Sequence, residues 1–218
     1  MSENPTPRPA YLSSTAIALL KLMASDLTKD YTIRKLAQGI RQSYRITYET
    51  VNRLAENGTL SLERKANLRM CRLNLRRNVQ TLAFIESLRA EEFLKTRPAV
   101  RLIVSNLVTK ITNVLPFFCL VLFGSVVKGK SITRSDLDIL FILPDQMLQN
   151  RVENELASVV RTSTIGLHEV VLSTDQFASM LSERERIKKP NLATEILENR
   201  IIPYGAETFY ALISRIMP

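Results

Sequence analysis

The 218-residue chain contains one histidine and two cysteines. So few, so far apart, they give no sign of a disulfide framework or a Cys/His zinc site. Cys119 falls inside an apolar run and reads as packed core. Long hydrophobic runs are missing too. The longest, around Val114 to Val127, is short and interrupted by Gly124-Ser125, so no membrane span is expected. The opening MSENPTPRPA is polar and proline-rich. It lacks the apolar region of a signal peptide, and a flexible tail over residues 1–11 and a cytoplasmic protein are the expectation. No internal repeat stands out. Acidic residues are in deficit: 21 Asp and Glu against 30 Lys and Arg, a net charge of +9. The deficit is local. Residues 1–97 hold 17 basic and 9 acidic residues, whereas residues 98–218 hold 13 and 12. Residues 64–77 carry six basic residues and no acid. Such asymmetry points to a polyanionic partner for the N-terminal part.

The most informative stretch is residues 117–143, FFCLVLFGSVVKGKSITRSDLDILFIL. Phe117 to Phe123 is apolar throughout, the pattern of a strand covered on both faces. It stops at Gly124-Ser125. The glycine lets the backbone approach a ligand closely, and the serine is a good helix N-cap with a free hydroxyl. Lys128 and Lys130 add positive charge a turn later. A second apolar strand then opens with Ser135-Asp136-Leu137-Asp138. Residues i and i+2 on a strand share a face, so Asp136 and Asp138 project side by side with Cα atoms roughly 6–7 Å apart. Two carboxylates held so close repel unless a divalent cation lies between them.

At Gly124-Ser125, the basic spacer and Asp136-Leu137-Asp138, the sequence resembles the nucleotidyltransferase superfamily of DNA polymerase β, particularly its minimal stand-alone members. The resemblance covers roughly Val100 to the C-terminus. It implies two Mg²⁺ ions held by Asp136 and Asp138, and an NTP whose β- and γ-phosphates are held by Gly124, Ser125 and Lys128. It also implies a third carboxylate on a neighbouring strand. Glu169, in the strand expected over Leu167 to Leu172, is the acid between Asp138 and Asp175 that a strand would hold in place. It is the expected third metal ligand and catalytic residue, although the family more often has Asp. His168 would then point to the opposite face and reads as structural.

The N-terminal third shows helical patterns over about Ser13–Ser25, Ile33–Ile40 and Ile46–Asn57, the last ending at Gly58. Two short strands follow, Leu60–Glu63 and Leu68–Leu75. Through Thr32–Ala37, Thr47–Leu54 and Asn57–Leu60 this order resembles a winged helix-turn-helix. The resemblance implies a third helix in a major groove, exposing Tyr44, Arg45, Tyr48, Asn52 and Arg53. The strand pair would be a wing carrying Arg64, Lys65, Arg69 and Arg72. DNA, or RNA, is the expected partner. Small winged helices also serve as docking or dimerisation units, so a protein partner or a homodimer is the alternative.

The expected architecture is α+β. A tail over 1–11 and a winged helix-turn-helix over 12–77 lead through a connecting helix, 78–97, to a nucleotidyltransferase domain over 98–218 with a mixed sheet flanked by helices. The reaction implied is Mg²⁺-dependent transfer of an NMP from an NTP to a hydroxyl of a protein, nucleic acid or small molecule. The rival reading is a DNA-binding regulator whose transferase-like domain senses nucleotide or docks a partner. A missing third carboxylate would favour the rival.

Overall fold

The computed structural model describes residues 12–129, 136–187 and 191–217. The expected tail, the spacer residues 130–135 with Lys130 and Ser135, and residues 188–190 lie outside them. The chain divides into two compact units, residues 1–24 with 29–74, and residues 25–28 with 75–218.

The first unit comprises helices α1 (Ser14–Ser25), α2 (Ile33–Gly39) and α3 (Tyr44–Glu56) and strands β1 (Tyr31–Thr32), β2 (Leu60–Lys65) and β3 (Leu68–Leu73). The strands form an antiparallel sheet in the order β1-β3-β2. Helix α3 starts two residues before the expected Ile46, because Ser43 caps it and its hydroxyl accepts from the Ile46 N–H at 3.3 Å. Leu19, Leu20, Leu36, Val51, Leu54 and Leu60 are buried. Cys71 is buried at the middle of β3, and burial pushes its thiol up to about 11.

The second unit is built on a four-stranded mixed sheet in the order β6-β5-β4-β7, with β4 (Cys119–Phe123), β5 (Leu137–Leu143), β6 (Leu167–Ser173) and β7 (Ile201–Tyr204). The β4–β5 and β4–β7 pairs are antiparallel and β5–β6 is parallel. Every residue of β4 is buried, as its unbroken apolar sequence requires. Helix α4 (Val79–Lys95) ends before Arg97-Pro98, and Pro98 occupies the first turn of α5 (Pro98–Val114), where its fixed φ suits a helix start. A four-residue turn, α6 (Gly124–Val127), follows β4. A 3-10 turn at Gln146–Leu148 leads into α7 (Gln149–Thr162). Helices α8 (Thr174–Ile187), α9 (Leu192–Glu198) and α10 (Ala206–Ile216) complete the unit.

Alternation along the strands divides the core. Phe118, Leu120, Leu122, Leu137, Ile139 and Phe141 pack with Val100, Val104 and Leu107 of α5 and Val152 and Leu156 of α7. The intervening Val121, Leu140 and Ile142 are equally buried. Elsewhere in the unit lies a buried polar knot. Glu86 of α4 accepts from Arg89 at 2.6 Å, from Arg200 at 3.0 Å and from the Tyr210 hydroxyl at 2.8 Å. Arg200 is fully buried and also donates to the carbonyls of Ile196 and Leu197 at the end of α9. Its guanidinium satisfies carbonyls that a helix end leaves without intrahelical partners. The knot ties α4, α9 and α10 together across more than 100 residues of sequence.

Candidate active site

Three strand ends meet at one edge of the second unit's sheet: the close of β4 and the openings of β5 and β6. The antiparallel β4–β5 register sets Phe123 opposite Asp138, so the chain leaving β4 turns directly beside that carboxylate. Gly124 makes the turn at φ +74°, a conformation that side chains other than glycine's adopt at a cost. A Cβ on Gly124 would lie 1.9 Å from Asp138 Oδ2. Asp136 has a matching neighbour on the other side. A Cβ on Gly166, just before β6, would lie 1.9 Å from Asp136 Oδ1, and the Gly166 carbonyl accepts from the Leu137 N–H at 2.8 Å. Each carboxylate thus rests against bare backbone where any side chain would displace it.

The parallel β5–β6 register decides what stands on Asp138's other side. Asp138 aligns with His168 and Ile139 with Glu169. Aligned residues of a parallel pair share a face, so His168 is beside Asp138 and Glu169 is on the opposite face, alongside a core isoleucine. The His168 Nδ1 lies 3.1 Å from Asp138 Oδ1. The side chains are 65% and 24% exposed, an opening to solvent at the histidine. Glu169, the expected third carboxylate, thus lies in register with Ile139, on the face away from Asp138. His168, read as structural, lies within hydrogen-bond distance of Asp138.

Ser125 is half-buried at the second position of α6. It is not the helix cap, a place that Phe123 takes. The exposed Lys128 ion-pairs with Glu195 of α9 at 2.8 Å. Among the described residues no three His, Cys, Asp or Glu side chains come together in a group that could hold a metal ion. The arrangement instead suits a hard cation such as Mg²⁺, which is commonly held by one or two carboxylates and completed by water and substrate phosphates. Two carboxylates seated against glycine backbone fit that requirement.

In the first unit, α3 exposes Tyr44 and Tyr48 and half-buries Asn52, at a four-residue spacing along one side of the helix. The two tyrosine rings stack at 6.1 Å between centroids. The Arg69 guanidinium of β3 lies 5.9 Å over the Tyr48 ring and donates to Asn52 at 3.4 Å. Hydrogen bonds from Asn52 and Arg69 hold the Tyr48 hydroxyl below its ordinary pKa. The other expected contacts are distributed differently. Arg45 ion-pairs with Glu49 at 3.1 Å, Arg53 is exposed, and Arg64 donates to the Ala66 carbonyl. Arg72 grips Asp30 through both Nε and Nη2, and Lys65 reaches Asp30 at 3.5 Å and Glu63 at 3.9 Å. The acid-free run 64–77 is thus partly neutralised by acids from outside it. The Arg72 guanidinium holds the Asp30 carboxyl below its usual range.

Sequence reasoning passed over Gly166, Asp30 and the Glu86–Arg200 pair. Gly166 sits directly before the strand that carries His168, a signal that could have been read. Asp30 and Glu86 find their partners 42 and 114 residues away, where local pattern carries no information.

The comparisons with known proteins fall on the same region. No curated protein and no solved structure matches the chain. No helix among the described residues is long and apolar enough to cross a membrane. Residues 119–203, from the start of β4 into β7, match the family model of the nucleotidyltransferase domain.

Proposed function

We propose that the chain is a divalent-metal-dependent nucleotidyltransferase that moves an NMP from an NTP to an acceptor hydroxyl. The acceptor oxygen bonds to the α-phosphorus, the bond from that phosphorus to the bridging oxygen of the β-phosphate breaks, pyrophosphate leaves, and the hydroxyl proton passes to solvent. Such transfers depend on positioning and charge neutralisation more than on a covalent catalyst. Asp136 and Asp138 hold the cations, two Mg²⁺ ions or their equivalents. These supply neutralisation of the triphosphate and activation of the attacking hydroxyl. Gly124 and Ser125 receive the β- and γ-phosphates, and Lys128 joins them by exchanging Glu195 for phosphate.

The observation that carries this reading is the seating of Asp138 against Gly124, inside the segment that matches the nucleotidyltransferase domain. It is tested by incubating the protein with each α-labelled NTP, divalent cation and cell extract, and following label into a new product. Asp138→Asn should lose the transfer.

The first unit, in this reading, is a winged helix-turn-helix that binds duplex DNA. Tyr44, Tyr48, Asn52 and Arg69 form its groove-facing surface, and Arg45, Arg53, Arg64 and Lys65 lie around it. Phosphate contacts supply affinity and base-edge contacts supply preference. A salt titration of duplex binding by the full chain tests it.

One observation favours a second reading. With Glu169 on the far face of β6, no third carboxylate joins the pair among the described residues. A domain that binds nucleotide without transferring it, as the sensor of a DNA-binding regulator, would show metal-dependent NTP binding and no labelled product.

A further inference from the structure

Rotation about the last bond of an aspartate is broad and roughly two-fold. A carboxylate that is to hold a cation therefore gains from a partner that fixes its plane. On Asp138 both oxygens have such a neighbour. Oδ2 lies against the Gly124 backbone, where a Cβ would come within 1.9 Å of it. Oδ1 lies 3.1 Å from His168 Nδ1. We propose that His168 is the positioning residue of Asp138. Its Nδ1–H donates to Oδ1 and fixes the rotation of the carboxylate, and the imidazole itself does not bind the cation. The inference rests on the nucleotidyltransferase reading above.

Register and hydrogen-bond chemistry support it. Asp138 aligns with His168 across the parallel pair, so both side chains stand on one face of the sheet. An ionised carboxylate only accepts, so Nδ1 is the nitrogen that carries the proton. The hydrogen bond takes one of about four acceptor sites on the carboxylate and leaves the others open to a cation. Glu169, one residue on, faces away with Ile139. The place beside Asp138 is thus filled by a donor, which attracts the carboxylate, where a third acid would repel it. The imidazole is 65% exposed, so replacing it leaves the core untouched and its effect is read at the site.

His168 is the single histidine of the chain, so labelling with ¹⁵N-histidine marks one ring. The full-length protein, prepared without a histidine tag and free of metal, is first examined by NMR at about pH 9, where an ordinary imidazole is neutral. The nitrogen shifts report which ring nitrogen carries the proton. The expected result is Nδ1–H in the wild type and a shift toward Nε2–H, the commoner form of free histidine, in Asp138→Ala. Mn²⁺ is then titrated with a non-transferable ATP analogue present, the free ion being followed by its electron-spin signal. His168→Leu should bind Mn²⁺ about tenfold more weakly, the scale on which loss of a ligand's supporting partner acts. His168→Asn, whose amide N–H takes the place of Nδ1–H, should regain most of that affinity. An Nε2–H ring in the wild type, or equal Mn²⁺ affinity in His168→Leu and His168→Asn, would overturn the inference. Asp138-dependent Mn²⁺ binding alongside either result would leave the nucleotidyltransferase reading standing. Failure of the wild type to bind Mn²⁺ with nucleotide would overturn both.

Discussion

Asp138 touches bare backbone on one side and an imidazole on the other, and its neighbours explain why small residues stand where they do. Gly124→Ala meets two penalties at once: a left-handed φ of +74° and a Cβ 1.9 Å from the carboxylate. The conformational part costs about 1–2 kcal/mol, and the steric part displaces Asp138. Metal-dependent NTP affinity, measured by calorimetry, should fall more steeply than the melting temperature. Gly166→Ala carries the steric penalty against Asp136 without a left-handed φ, and should weaken metal binding with a smaller loss of stability. In the first unit, Asp30 makes a pH prediction. Its folded pKa lies below the 3.8 of an unperturbed group, first because of the hydrogen bond from Arg72. A depressed carboxylate stabilises the fold above the unfolded pKa and loses that contribution as pH falls through the folded value. Asp30→Asn should therefore lower the unfolding free energy measured by urea titration at pH 7, by about 1 kcal/mol or less for so exposed a pair. It should differ little from wild type at a pH below the folded value. An equal deficit at both pH values would mean that the ion pair is not the cause.

The elements themselves were largely legible from local pattern. The apolar run at 119–123, the alternation from Leu137 and the break at Arg97-Pro98 each act over a few residues, and the chain follows them. What stayed hidden was pairing. In β6 the residues are Leu167-His168-Glu169-Val170, and sliding the partner by one exchanges which of the two polar side chains meets Asp138. Nothing within β6 states that register. It is set by the turn at Gly166, whose carbonyl bonds the Leu137 N–H. The β3 cations carry the same lesson. Arg69 and Arg72 look equivalent in sequence, yet Arg72 is held by Asp30 and Glu63 whereas Arg69 lies on Tyr48. If the first unit binds duplex DNA, Arg69→Ala should flatten the slope of log K against log salt by about one unit. Arg72→Ala should instead lower thermal stability and change the slope less. Equal changes in slope would mean that Arg72 leaves Asp30 for phosphate on binding.

At the scale of the molecule, the chain has one basic unit and one unit of nearly balanced charge, each with its own core. The second unit depends on the buried Glu86 knot. Glu86→Ala would strand Arg200 without its counter-ion in the interior, at a cost of about 3–5 kcal/mol. Chemical denaturation should show that loss, and Glu86→Leu paired with Arg200→Met should recover part of it, since apolar packing often replaces a buried ion pair without loss. The central claim concerns what this stabilised sheet edge does, and transfer of label tests it most directly. Wild type and Asp138→Asn are incubated with each α-labelled NTP, Mg²⁺ or Mn²⁺ and cell extract. The expected result is covalent label in an acceptor fraction and release of unlabelled pyrophosphate by the wild type alone. Metal-dependent NTP binding with no labelled product from any nucleotide would contradict transfer and leave a nucleotide-binding domain in its place.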